Sequence, residues 1–255
     1  MAQYDNSQVY DRIYGLKNYV LEARLIHQLI RRHNPRARSL LDVACGTGRH
    51  LEHLKTHYRC EGLDLSPELL EGAQRRNPDL RFHQGDMRRF SLGGRFDAIT
   101  CLFSAVGYLD GVEPLERALA CFAEHLNPGG VVLLEPWLFP ETFEAGHTGL
   151  QTVDEPGLKL VRMNTSRAEG RVSVLEFHYL HGEGGKVRHW LEEHRLFLFT
   201  RGEYAQALVK AGLRAELDDQ GISGRGLFVG VGEGARRGGG RRGPAGRLTS
   251  RTTRR

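Results

Sequence analysis

Residues 40–48 read Leu-Leu-Asp-Val-Ala-Cys-Gly-Thr-Gly, a short apolar run halted by two glycines and followed by a helical stretch from Arg49 to His57. A run this short and this apolar is buried on both faces, and the glycine turn carries the chain from strand to helix. The unit repeats. Cys60 to Asp64 predicts a second strand, Ser66-Pro67 a helix cap and first turn, Glu68 to Arg76 a helix, and Leu80 to His83 a third strand. Phe96 to Leu102 and Val131 to Glu135 predict two more strands, with a helix from about Pro114 to Leu126 and a turn at Asn127-Pro128-Gly129-Gly130 between them. A helix over Lys17 to His33 precedes the whole series. Such alternation predicts an α/β fold with a mostly parallel sheet covered on both faces.

After Trp137 the pattern changes to long alternating segments, Lys159 to Thr165, Arg171 to Leu180 and Val187 to Phe199, with a tight turn at Glu183-Gly184-Gly185. These predict an antiparallel β insertion over about residues 136–201. A helix near Arg201 to Ala211 and strands near Leu213 to Leu217 and Leu227 to Val231 then return the chain to the main sheet, for one domain over 1–235. The formal charge of +5 is misleading as a sign of nucleic-acid binding, because eight arginines fall in the last twenty-two residues, which contain no acid. Taking those eight away leaves the rest of the chain at −3. Residues 236–255 read as a disordered basic Gly/Arg tail.

The ends of the first three strands carry the chemistry. Gly46 and Gly48 let a ligand approach the backbone, but Leu51 stands where a dinucleotide-binding turn wants a third glycine. Asp42, four residues before the first glycine, suits a cationic ligand. Asp64 closes the second strand, where a carboxylate can accept both hydroxyls of a ribose. Asp86 and Met87 follow the third, placed to accept from an adenine amino group and to pack on its ring. Ammonium, ribose and adenine in that order spell S-adenosylmethionine. His50, His53 and His57 share a helix face, but no carboxylate or cysteine is spaced to complete a metal set, and none is expected. Cys45, Cys60, Cys101 and Cys121 form no CxxC pair and read as reduced buried thiols. No apolar run approaches the roughly 18–20 residues of a membrane span, and the N-terminus has no signal-peptide pattern, so a cytoplasmic enzyme is expected.

On these motifs the chain resembles the sugar-nucleotide N,N-dimethyltransferases that complete the dimethylamino sugars of macrolide antibiotics, such as desosamine and mycaminose. The likeness runs from about Val9 to Val231 and is carried by VYDRIY (9–14), SLLDVACGTGRHLEH (39–53), QGDMRRFSLG (84–93), LFSAVGYL (102–109), PGGVVLLEPWLFPETF (128–143) and SGRGLFVGV (223–231). The resemblance implies a Rossmann-like class I methyltransferase fold, with a seven-stranded mostly parallel sheet and the β insertion. It implies that Tyr10 and Tyr19 close over the cofactor and that Ala44, Asp64, Asp86, Met87 and Leu102 line its pocket. It further implies that Arg225 faces the nucleotide diphosphate, that Ser104, Glu135, Trp137 and His178 belong to the acceptor side, and that the protein is a homodimer. Tyr108 matches a position the family fills with Tyr or His and stands where the methyl should transfer. Departures from the family fall on the acceptor side: the stretch Tyr14 to Tyr19 is two residues short, Ala105 replaces a serine, Leu138 replaces a tryptophan, and Tyr4 is two residues too close to Tyr10 to match the family's N-terminal substrate tyrosine.

The reaction implied is in-line displacement at a sulfonium methyl by a neutral sugar amine, performed twice, with Tyr108 orienting the amine. Two other readings stay open from sequence: N- or O-methylation of a different small molecule, and RNA binding through the basic tail.

Overall fold

The computed structural model describes residues 7–15 and 17–234. The chain begins with α1 (Ser7–Ile13) and α2 (Tyr19–His33), then alternates β1 (Ser39–Val43), α3 (Arg49–Leu54), β2 (Arg59–Asp64), α4 (Pro67–Arg76), β3 (Arg81–Gln84) and β4 (Phe96–Cys101). A 3-10 turn at Ala105–Tyr108 leads to α5 (Val112–Glu124) and β5 (Leu126–Leu134). Then come the strands of the insertion, β6 (Thr148–Glu155), β7 (Leu158–Glu169), β8 (Val172–Glu183) and β9 (Lys186–Phe197), and finally α6 (Arg201–Lys210), β10 (Leu213–Asp218) and β11 (Leu227–Gly232).

The main sheet has seven strands in the order β10-β11-β5-β4-β1-β2-β3. β1 to β5 are parallel, whereas β11 runs antiparallel to both β5 and β10. Every residue of β1 is buried, as its apolar run predicts. The strand period of two divides that burial between two cores. Leu41, Val43, Ile99 and Val132 pack with Leu119 and Phe122 of α5 and Leu208 of α6, while Leu40, Ala98 and Val131 pack with Ile26 and Ile30 of α2 and Leu51 of α3. Ser66 caps α4 by accepting from the Leu69 amide at 3.2 Å.

Two expectations need correction. Asn127 to Gly130 is not a turn ahead of the strand but part of β5, whose pairing with β4 shifts register between Phe96 and Ala98. The segment keeps its backbone partners, Gly129 donating to the Glu233 carbonyl at 2.9 Å, so the turn signal marks a bulge. The insertion's antiparallel sheet, in the order β6-β7-β8-β9, spans 148–197 and has a first strand, β6, that was not foreseen. The β8–β9 loop is Gly184-Gly185 with both φ positive (59° and 74°), the geometry that suits a two-residue hairpin. The basic tail, 236–255, lies outside the described residues.

The inner face of the insertion carries Leu158, Leu160, Phe177 and Tyr179, and against it pack Val9 and Ile13 of α1. The short first helix is thereby held between the insertion and the carboxyl ends of the parallel strands.

Candidate active site

The carboxyl ends of β1, β2 and β4 open into a cavity of about 1560 Å³, walled on the far side by the inner face of the insertion. A crevice outside the carboxyl ends of the strands is where open α/β sheets hold ligands. This volume exceeds the roughly 300–1,000 Å³ usual for one small ligand, which leaves room for a cofactor and an acceptor together.

The backbone at this edge is unusual. Ala44, Phe103 and Ser104 all have positive φ (57°, 54° and 62°), at the ends of β1 and β4. A residue with a Cβ in that region costs on the order of 1 kcal/mol, and such strain collects at functional sites. Gly46, with φ 55°, donates its amide to Asp64 Oδ2 at 2.7 Å, while the Ser66 amide reaches Oδ1 at 2.9 Å. Burial raises the Asp64 carboxyl above its ordinary value in spite of these two donors. Asp42 accepts from Thr100 Oγ1 at 2.7 Å and is pushed up to about 6, chiefly by burial, with the nearby Asp64 charge adding to the shift. Among the described residues no lysine or arginine pairs with either carboxylate. Two buried acids on one cavity wall without a side-chain cation fit a ligand that carries positive charge, as S-adenosylmethionine does.

Tyr10 and Tyr19 line the same region, with Arg49 4.6 Å above the Tyr19 ring. α1 is tied down from two sides: Asp11 accepts from Thr47 at 2.6 Å and from Arg76 at 2.7 Å, and Tyr14 Oη accepts from Arg162 at 2.7 Å. Asp86 and Met87 reach the cavity, but Arg88 forks onto the Asp86 carboxylate (2.6 to 3.0 Å) and holds its pKa low. Leu102 is buried in the wall.

On the opposite side, Arg225 donates to Ser104 Oγ at 3.2 Å and lies 5.1 Å from the Trp137 ring. Ser104 Oγ in turn donates to the Pro136 carbonyl at 2.7 Å, and Trp137 Nε1 donates to Ser173 at 2.8 Å. Tyr108 Oη sits 2.5 Å from His194 Nδ1. Arg225, Ser104, Trp137, Tyr108 and His194 line the cavity.

Three expected site residues do not. Gly48 caps α3 instead, with φ 70°, and a Cβ there would meet Asn77 Nδ2 at 3.0 Å; its role is close helix packing. Glu135 is 2% exposed and accepts from the Phe103 amide at 2.6 Å and from Ser223 Oγ, so it braces the strained loop from beneath. His178 pairs with Glu176 at 2.9 Å on the outer face of the insertion, because β8 directs Phe177 inward and its neighbours outward. His50, of the histidine face noted in the sequence, is buried against Glu22 at 2.7 Å. Among the described residues no group of three potential ligands could hold a metal. Conversely, Arg162, Trp190, Glu192 and His194 face the cavity and were not foreseen. Their signal was the strand alternation of 190, 192 and 194, which sequence shows without saying which face looks inward.

Fold and cavity together define a class I S-adenosylmethionine-dependent methyltransferase, and residues 40–130 match the methyltransferase-domain family. The chain is 48% identical, over 88% of its length and 90% of the relative's, to dTDP-3-amino-3,6-dideoxy-alpha-D-glucopyranose N,N-dimethyltransferase of Streptomyces fradiae. It is likewise 48% identical, over 91% and 99%, to dTDP-3-amino-3,4,6-trideoxy-alpha-D-glucopyranose N,N-dimethyltransferase of Streptomyces venezuelae. Among solved structures, Streptomyces venezuelae DesVI superposes with a TM-score of 0.85 at 48% identity, covering 88% of this chain and 97% of that one. CalS10, an amino pentose methyltransferase from Micromonospora echinaspora solved with S-adenosylmethionine bound, superposes with 0.82 at 43% identity, covering 88% and 96%. The chain belongs to the sugar-nucleotide N,N-dimethyltransferase family.

Proposed function

We propose that this chain adds two methyl groups in succession to the amine of a dTDP-linked 3-amino-deoxysugar. The observation that carries the reading is the division of charge within one cavity. Buried carboxylates Asp42 and Asp64 stand at one side, and guanidiniums Arg225 and Arg162, in no ion pair among the described residues, at the other. A cationic cofactor and a diphosphate-bearing acceptor are complementary to that division.

S-adenosylmethionine supplies a methyl group on a sulfonium that needs no further activation. Asp42 would face its ammonium end, Asp64 its ribose, and Asp86 with Met87 its adenine, while Tyr10 and Tyr19 would cover it. Arg225 holds the diphosphate, and Trp137, Ser104 and Tyr108 border the sugar. Most of the rate then comes from position: fixing the amine about 3 Å from the methyl carbon in line with the sulfur can supply about 7–11 kcal/mol.

The enzyme is read as one catalytic domain over 1–235, acting in the cytoplasm as a homodimer. Four buried free cysteines agree with a reducing compartment, and no described helix is long and apolar enough to cross a membrane. The outer face of the insertion supports the dimer: Leu150, Met163, His178 and Leu191 lie in one cross-strand row, and the three apolar members are 60%, 47% and 49% exposed.

The test is methyl transfer to the nucleotide-linked aminosugar, to the same sugar without its nucleotide, and to glycine. The nucleotide sugar should be the preferred acceptor, and Arg225→Ala should raise its KM by about tenfold or more with a smaller change in kcat. Equal use of the free sugar or glycine would overturn the assignment.

A further inference from the structure

We propose that His194 and Glu192 form, behind Tyr108, a proton relay that frees the acceptor amine before each methyl transfer. The inference rests on the aminosugar reading above. Tyr108 Oη is 2.5 Å from His194 Nδ1, and His194 Nε2 is 3.4 Å from Glu192 Oε2. Residues 192 and 194 are two apart on β9, so both side chains point to the cavity side, where the 3-10 turn brings Tyr108 to meet them. Exposure separates the first two. Tyr108 is 41% exposed and His194 only 2%, so the phenol meets the acceptor and the imidazole is reached through it.

The surroundings hold this order. Trp190 Nε1 donates to Glu192 Oε1 at 3.1 Å, fixing the carboxylate, and the Phe177 ring from β8 lies 4.8 Å from the His194 ring. Arg162 of β7 stands beyond Phe177, 4.6 Å from that ring, and Tyr10 of α1 lines the same cavity as Tyr108. Glu193 and Arg195, the immediate neighbours of His194, pair with Arg167 and Glu169. If Tyr108 donates to Nδ1, the neutral His194 carries its proton on Nε2, directed at Glu192.

An amine protonated in water cannot attack a methyl group. A phenol holds its own proton at neutral pH and is a poor base alone, whereas an imidazole exchanges protons in that range. In the relay, an ammonium N–H proton passes to Tyr108 Oη as the Tyr108 proton passes to His194 Nδ1. The resulting imidazolium faces the Glu192 carboxylate. The freed nitrogen pair then forms the N–C bond as the C–S bond breaks, and His194 returns its proton to solvent before the next round. Tyr108 touches substrate, whereas His194 and Glu192 act through it as positioning residues.

The test combines His194→Asn and Glu192→Gln, each checked for unchanged melting temperature and S-adenosylmethionine affinity, with the pH dependence of kcat. His194→Asn should lose about 100-fold at neutral pH. The loss should shrink by about a decade per pH unit toward alkaline conditions, as the amine loses its proton unaided; Glu192→Gln should show a smaller loss of the same shape. A pH profile parallel to that of the wild type would overturn the relay. Nitrogen NMR of ¹⁵N-histidine-labelled wild-type protein gives a readout independent of turnover: His194 should carry its proton on Nε2, and a proton on Nδ1 would overturn the arrangement. Wild-type protein that bound the nucleotide sugar without methylating it would sink the substrate reading instead, and the NMR result would still decide the arrangement.

Discussion

At Asp42 a carboxyl group 2% exposed is held at about 6 against an ordinary value of 3.8, mainly because burial penalises its charge. At 1.36 kcal/mol per pKa unit, this costs the cofactor-free protein roughly 3 kcal/mol at neutral pH. The penalty is absent below the unfolded value near 4, grows as pH rises, and is complete above about 6, so this residue makes the cofactor-free protein less stable across that window. A cation bound beside the carboxylate removes much of the penalty. Asp42→Asn should therefore raise the melting temperature of the cofactor-free protein at neutral pH while weakening S-adenosylmethionine roughly tenfold or more; scanning fluorimetry and calorimetry measure the two. A variant that loses both stability and affinity would show that the carboxylate is structural. That Asp42, Asp64 and Asp86 line the cavity was legible in the sequence because each lies at or just beyond the carboxyl end of a parallel strand. His178 was misplaced because a strand residue's face depends on register, and Glu135, just past the end of β5, because its carboxylate turns to the Phe103 amide and Ser223 Oγ; a family motif fixes identity but not the direction of the side chain in this chain.

The 3-10 turn Ala105–Tyr108 is the element on which the acceptor side depends. It stands directly after the strained pair Phe103 and Ser104 and is packed so closely that a Cβ on Gly107 would lie 2.9 Å from Trp137 Cβ and 3.0 Å from Leu196 Cδ2. Overpacking of this kind costs about 1–3 kcal/mol and displaces what surrounds it. Gly107→Ala should thus lower kcat by about tenfold or more while leaving S-adenosylmethionine affinity near that of the wild type, because the carboxylates of β1 and β2 are untouched. Equal loss of cofactor binding would mean that the two sides of the cavity are not separable. The parallel strands and their helices were legible from apolar runs and caps. β6 was missed because Thr148–Glu155 is mostly exposed and weakly patterned, and the β5 bulge was taken for a turn because Asn-Pro-Gly-Gly favours both.

For the molecule as a whole, the charge that dominates the composition belongs to a segment outside the described residues. Deleting 236–255 should leave kcat and KM within about twofold of the full chain, measured in steady state, since a change that small lies under 1 kcal/mol. A salt-dependent affinity for RNA that vanished on deletion would instead revive the tail-driven reading. The outer face of the insertion makes a second prediction at this scale: light scattering should find a dimer, and Met163→Glu, a charge placed at the middle of the apolar row, should give a monomer. An unchanged mass would place the dimer contact elsewhere or remove it. The account turns on the acceptor, and mass spectrometry of a dTDP-3-amino-deoxysugar incubated with the protein and S-adenosylmethionine tests it most directly. It predicts a product one methyl heavier that declines as a second, two methyls heavier, accumulates; a sugar nucleotide of unchanged mass in the presence of protein that binds the cofactor would contradict it.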